Sequence, residues 1–155
     1  MSLWDWAADA YARPGVENLC LALQDEHDQC VGYLLWAAWA ALRGRRVGPA
    51  DLAQAAATAR DWETRVLRSL RSVRRALKQP TPGVAVAAGD SLRARIKAEE
   101  LAAERVLLET LEARTPPPRG EATPLDQALH DAAGAWGPLP PPVLLEALSH
   151  AFSTA

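Results

Sequence analysis

Hydrophobic residues recur at intervals of three and four over the first 113 residues, the spacing of one face of an α-helix. The pattern predicts five helices, over residues 3–11, 14–25, 31–42, 49–78 and 90–113. The third is apolar on nearly every side, which is typical of a central buried helix. The last two are long and joined by one loop, so they predict an antiparallel hairpin. We therefore expect an all-α fold, a single-domain helical bundle.

A proline-rich segment follows the fifth helix. Three consecutive prolines at 116–118 favour an extended, semi-rigid spacer. Beyond it we predict a short helix over 124–133 and a last short helix. The chain thus divides into a helical domain, 1–113, and a linker with short helices, 114–155. The apolar face of the last helix is a candidate for docking, on this bundle or in a partner's groove. That face consists of Leu144, Leu145, Leu148 and Phe152.

Composition narrows the class of protein. Hydrophobic residues make up 49% and charged residues 23%, which is typical of a globular protein. The most apolar stretch, residues 30–42, falls short of the ~20 residues that span a bilayer, so no membrane span is predicted. A net charge of −2 gives no overall attraction to nucleic acid. Two cysteines are too few for a disulfide scaffold, which favours a cytoplasmic location.

The densest set of reactive side chains is the sequence QDEHDQC, residues 24–30, between the second and third helices. Cys20, His27 and Cys30 are ligand types that suit zinc, but their spacing fits a zinc site poorly. His27 and Cys30 could also form a nucleophile pair, for which no orienting residue can be named. We interpret the segment as a solvated connection in which Asp28 caps the third helix. No catalytic, cofactor-binding or metal-binding residue is assigned.

The fourth and fifth helices carry complementary charges. If they pair around a loop at 79–89, facing residue numbers sum to roughly 168, because both helices rise equally per residue. This register predicts three ion pairs: Glu63–Arg105, Arg65–Glu104 and Arg68–Glu100.

The same register leaves the end of the hairpin with basic residues and no opposing acid. These residues are Arg71, Arg74, Arg75, Lys78, Arg93, Arg95 and Lys97. They form a candidate binding surface for an anionic partner. An ordinary solvated basic face is the alternative, because charge runs usually interact only with water.

Six tryptophans are unusual beside two tyrosines and one phenylalanine. Trp4, Trp36, Trp39 and Trp62 fall on apolar helical faces, so we predict that they build the core. A ligand pocket lined by them is the alternative, since helical bundles hold such pockets. Trp6 and Trp136 are less clearly inside, and an exposed tryptophan suggests contact with another chain.

Several segments together resemble an uncharacterised proteobacterial family of small all-helical proteins, whose members carry only a domain-of-unknown-function label. These are LWDWAADAYARPGVENLCLALQDEHDQCV, the tryptophans of LLWAAWAAL, LRSVRRALK and KAEELAAER. The resemblance covers roughly residues 3–111 and implies an all-helical cytoplasmic protein without assigned activity or catalytic residues. Many members have Asp-Val-Asn in place of Cys30-Val31-Gly32, which implies that a site depending on Cys30 is not general to the family.

These observations predict a non-enzymatic interaction protein, an adaptor or subunit, whose partner is another protein or a second copy of the chain. A bundle that binds a small apolar ligand or a metal is the alternative. RNA binding through the basic end of the hairpin is a third and weaker alternative.

Overall fold

The computed structural model describes residues 1–118 and 122–154, and every regular element in these two ranges is helical. The described chain forms seven helices, which confirms the predicted all-α single-domain fold. They are α1 (Leu3–Tyr11), α2 (Val16–Asp25), α3 (Val31–Leu42), α4, α5 (Val86–Ala113), α6 (Leu125–Trp136) and α7 (Pro142–Ser153). Helix α4 consists of Pro49–Trp62, a π-helical segment Glu63–Leu67, and Arg68–Ala76.

Most helix ends lie within three residues of the predicted positions. The Ser2 hydroxyl accepts a hydrogen bond from the Asp5 amide at 3.1 Å and caps α1. Helix α5 begins at Val86 rather than near residue 90. The predicted cap of α3 by Asp28 is wrong, because Cys30 occupies the N-cap position. Asp28 has a φ of 51°, and its carboxylate binds Arg68 on α4 instead.

Helix α3 is the centre of the molecule, as its all-round apolar pattern predicts. Every residue from 33 to 41 is buried, and α1, α2, α4, α5 and α6 all pack against this helix. Two polar groups in this core have partners. The Tyr33 hydroxyl donates to the Leu52 carbonyl at 3.1 Å, and Trp36 Nε1 donates to Thr115 Oγ1 at 2.8 Å.

The C-terminal helices share this core. Helix α6 packs on α3 and α4, and α7 packs on α2 and α6. Leu145, Leu148 and Phe152 are buried, while Leu144 is half-buried against the core. The predicted docking face of the tail therefore lies on the chain's own bundle. The boundary at residue 113 stays a prediction about the division of the chain, since the two parts pack together.

The tryptophans extend the same core. Trp36 and Trp39 are buried, and Trp4 and Trp62 are half-buried against the core. Trp6 and Trp136 are only 8% and 4% exposed, so the expectation that they lie less clearly inside is wrong. The C-terminal helices account for this burial. For example, the ring of Phe152 on α7 lies 5.3 Å from the ring of Trp6 in an edge-on arrangement.

No helix in the described ranges has both the length and the apolar content that crossing a bilayer requires.

Candidate functional site

The ion pairs between α4 and α5 differ from the predicted register. Arg71 Nε and Arg74 Nε lie 3.3 and 2.5 Å from the two carboxylate oxygens of Glu100. The sequence predicts Arg68 as the partner of Glu100, so α5 faces a part of α4 about one turn closer to the loop. None of the three predicted pairs forms among the described residues. The prediction assumed that the end of α4 and the start of α5 lie opposite each other. In the structure, the exposed first turns of α5 extend past the end of α4.

The predicted basic surface is correspondingly smaller. Arg71, Arg74 and Arg75 have acidic partners, so the expectation that no acid opposes them is wrong. Asp25, the last residue of α2, lies 3.2 Å from Arg75. The other four of the seven predicted residues have no ion pair within the described part of the chain. We call them the basic tip: Lys78, Arg93, Arg95 and Lys97.

Arg71 is the centre of a buried ion cluster. Only 11% of its side chain is exposed, and it lies 2.5 Å from Glu63, 3.3 Å from Glu100 and 3.7 Å from Glu104. We call these four residues the Arg71 network. Arg74 binds Glu100 from the more exposed side. Burial lowers the pKa of Arg71, but the carboxylates outweigh it and the net shift is upward. The guanidinium therefore stays charged and is held by three acids.

The π-helical segment brings Glu63 and Arg71 together. In a regular α-helix, residues eight apart point about 80° away from each other. The wider turns of Glu63–Leu67 reduce this angle, and Arg71 Nη1 donates a 2.5 Å hydrogen bond to Glu63 Oε1. Such segments occur frequently at functional sites.

A largely apolar pocket of about 410 Å³ lies beside the Arg71 network. This volume falls within the ~300–1,000 Å³ of typical small-molecule sites. Its walls come from α1, α2, α3, α4 and α5, and Glu63, Arg71 and Glu104 form its polar side. The apolar walls include Trp4, Tyr11, Val31, Leu35, Leu67 and Leu107.

Gly32 allows α3 to approach α5 at the wall of the apolar pocket. A Cβ atom at this position would lie 3.3 Å from Leu107 Cδ2 and 3.6 Å from Leu108 Cδ2. Any larger side chain would therefore have to displace Leu107 or occupy part of the pocket.

A polar cleft of about 340 Å³ lies on the other side of the same ion pair. Gln24, Glu63 and Arg71 line both the cleft and the apolar pocket. The Glu63–Arg71 pair thus separates an apolar chamber from a polar one. Asp25 and Asp28 line the cleft from the segment 24–30, and they bind Arg75 and Arg68 of α4.

The two cysteines line the apolar pocket rather than a reactive centre. Cys20 and Cys30 are both free and buried, and burial raises the pKa of each thiol to about 12. A nucleophilic cysteine needs a lowered pKa, so the direction of this shift does not favour the His27–Cys30 pair. Within the described ranges, no group of three or more His, Cys, Asp or Glu side chains is arranged to hold a metal ion.

The fold and the pocket define an all-α bundle with a partly open apolar pocket. A family model described as "Protein of unknown function (DUF2390)" matches residues 2–111, and the chain belongs to this family. No curated protein and no solved structure matches the chain. The matched region contains every residue that lines the apolar pocket, whereas α6 and α7 lie outside it.

Proposed function

We propose that this chain is a non-enzymatic binding protein that holds a small apolar ligand in the apolar pocket. The observation that carries the proposal is the pocket itself, about 410 Å³ and mostly apolar. A space of this size, lined by leucine and aromatic side chains, favours an apolar occupant.

The position of the pocket supports the same function. Five helices meet around it, so a bound ligand would contact and stabilise all of them. Leu21 and Leu101 line it and are 41% and 53% exposed, which gives a ligand an apolar entrance. The raised thiol pKa values favour binding over covalent chemistry. The two unpaired thiols also support a cytoplasmic location as part of the proposal.

A neutral, polarity-sensitive dye such as N-phenylnaphthylamine tests this function. We expect saturable fluorescence enhancement at one site per chain. Ala8→Phe places a ring in the pocket wall and should lower dye affinity about tenfold. The matched control is Ala102→Phe, on an exposed alanine of α5 that does not line the pocket. Equal dye binding by the two folded variants, or none by the native chain, would refute the proposal.

A second candidate function is binding of an acidic protein segment at the exposed end of the hairpin. The loop between α4 and α5 and the first residue of α5 add exposed apolar side chains, since Val84 and Val86 are 53% and 61% exposed. A surface that is both basic and apolar suits a segment that combines acids with apolar residues. The partner would be another protein or an acidic surface of a second copy of the chain.

A peptide of alternating glutamate and leucine tests this second function. The double variant Arg95→Glu, Lys97→Glu should abolish binding, and added salt should weaken it. Arg46→Glu, a charge reversal at an exposed position away from the hairpin, should leave binding unchanged. Binding of a single-stranded RNA in place of the peptide, lost in the same double variant, would favour RNA instead.

A further inference from the structure

We infer that the apolar pocket takes an organic cation, a molecule with an ammonium head group and an apolar tail of medium length. This inference rests on the proposed ligand-binding function and specifies its ligand class. It is carried by the charges and the hydrogen-bonding capacity of the polar side of the pocket.

The first observation is the balance of charge beside the pocket. The Arg71 network contains three carboxylates and one guanidinium, and Arg74 adds a second guanidinium through Glu100. With all groups ionised, acids exceed bases by one. A ligand that brings one positive charge would balance the cluster, whereas a carboxylate ligand would increase the excess.

The second observation is that Arg71 already faces three carboxylates. Its Nη1 donates to Glu63, its Nε lies 3.3 Å from Glu100, and its Nη2 lies 3.7 Å from Glu104. An anionic head group would have to compete with these carboxylates for the guanidinium and would be repelled by them. Breaking a buried pair strands a charge, which makes such an exchange unfavourable.

The third observation is that two carboxylates of the network line the same wall. Glu63 is 5% exposed, and its Oε2 is buried with no hydrogen-bond partner among the described residues. Buried polar atoms rarely lack a partner, so this carboxylate has unused capacity to accept a hydrogen bond. The Glu104 side chain is 41% exposed and reaches the pocket as a second carboxylate.

The state of Glu104 supports a cationic head group. Burial raises the pKa of this carboxyl, and the neighbouring Glu100 and Glu63 add to the effect, partly offset by Arg71. An ammonium group beside this carboxyl would favour ionisation and would gain a charge-assisted hydrogen bond.

The apolar walls determine the tail of the ligand. Trp4, Leu35, Leu67 and Leu107 line the chamber next to the acids. Each methylene buried there should contribute about 0.8 kcal/mol, which corresponds to about a fourfold gain in affinity. A straight alkyl chain therefore serves as the probe of this part of the site.

Calorimetric titration of the full chain at neutral pH with octylamine, octanol and octanoate tests the inference. These probes share one tail and differ only in the head group. We expect octylamine to bind about tenfold more tightly than octanol, and octanoate to bind more weakly than octanol. Hexylamine should bind about fifteenfold more weakly than octylamine, because it loses two methylenes.

Variants test whether the carboxylates cause the preference for octylamine over octanol. Glu104→Gln should lower octylamine affinity about tenfold and leave octanol within about twofold, while Glu99→Gln, an exposed neighbour on α5, should change neither. Glu63→Gln, if it folds, should act like Glu104→Gln.

The outcomes separate the inference from the proposed function. Octanoate or octanol binding as tightly as octylamine would overturn the cationic ligand and leave the pocket function standing. An amine preference that survives in Glu104→Gln and Glu63→Gln would also overturn it. Failure of every probe to bind would overturn both.

Discussion

Two polar clusters of this molecule lie on either side of one cleft and behave differently. The elbow, residues 24–30, concentrates acids, a histidine and a cysteine in one short stretch of sequence. The Arg71 network assembles its members from α4 and α5, and none of them is adjacent in sequence. In the elbow the ion pairs are exposed, whereas Arg71 and Glu63 have 11% and 7% of their side chains exposed.

The comparison shows that burial, rather than the density of reactive groups in the sequence, determines how much an ion pair affects stability. Exposed pairs contribute little, because water screens them and solvates each partner alone. Buried charges have no such alternative, so the loss of one partner leaves the others unsatisfied. We therefore expect substitutions in the Arg71 network to have larger effects than equivalent substitutions in the elbow.

The largest effect should come from Arg71→Met. The change removes the guanidinium and leaves Glu63, Glu100 and Glu104 close together without it. We expect it to lower the free energy of unfolding by about 3–5 kcal/mol. Urea denaturation measures this value. The matched control is Arg68→Met, which removes an exposed pair on the same helix and should cost less than about 1 kcal/mol. Equal costs for the two variants would contradict the comparison.

A smaller effect should come from Trp136→Phe, which tests how α6 holds the elbow. Trp136 Nε1 donates to the Asp28 carbonyl at 2.6 Å, and the substitution keeps a ring but removes this donor. We expect a loss of about 1–3 kcal/mol in urea denaturation, because the carbonyl loses its partner. Trp39→Phe is the control, since Trp39 Nε1 is buried without a partner in the described chain. Both substitutions reduce a buried indole to a smaller ring, so Trp39→Phe should carry the cavity cost alone and lose less stability than Trp136→Phe. A larger loss at Trp39 than at Trp136 would contradict this assignment.

The two thiols should make the free energy of unfolding depend on pH. Burial raises the pKa of Cys20 and Cys30 from 9.0 to about 12, so the folded state retains their protons more strongly than the unfolded state. The contribution of the protonated thiols to the free energy of unfolding is complete below pH 9. It is lost as the pH rises towards 12. At pH 10 we expect a loss of about 1 kcal/mol per thiol in urea denaturation.

Iodoacetamide gives an independent measure of the same property. At pH 8 the native chain should remain unmodified, while the chain unfolded in urea should be alkylated at both cysteines. The double variant Cys20→Ala, Cys30→Ala should lack the additional loss of stability between pH 8 and pH 10. Rapid alkylation of Cys30 in the native chain would place reactive chemistry back at the elbow.

Much of the fold could be predicted because it depends on local periodicity. The central position of α3 follows from its uniformly apolar sequence, and the start of α1 follows from Ser2 and Asp5. The packing of α6 and α7 on the body could not be predicted in this way. Their apolar faces show that they are buried against something, but periodicity carries no information about which surface covers them.

The candidate site could be predicted only in part. The sequence predicts an apolar core built by the tryptophans, with a pocket lined by them as the alternative. Trp4 and Cys20 line the observed pocket, whereas Trp36, Trp39 and Trp62 do not. The Arg71 network depends on the π-helical segment and on the register of α5, and neither leaves a signal in local spacing. In the sequence, Arg71 therefore looks like the other residues of the predicted basic surface. Its pairing with Glu63 becomes visible only in the structure.

The smallest effect should come from Asp28→Asn in the elbow. Asp28 pairs with Arg68 at 2.9 Å, but 82% of its side chain is exposed, so the pair is screened by water. Its φ of 51° lies in a region that asparagine also tolerates, so the backbone should not change. We expect the free energy of unfolding to change by only a few tenths of a kcal/mol. This change should disappear in high salt. A loss comparable with that of Arg71→Met would mean that the elbow, despite its exposure, holds α4 in place.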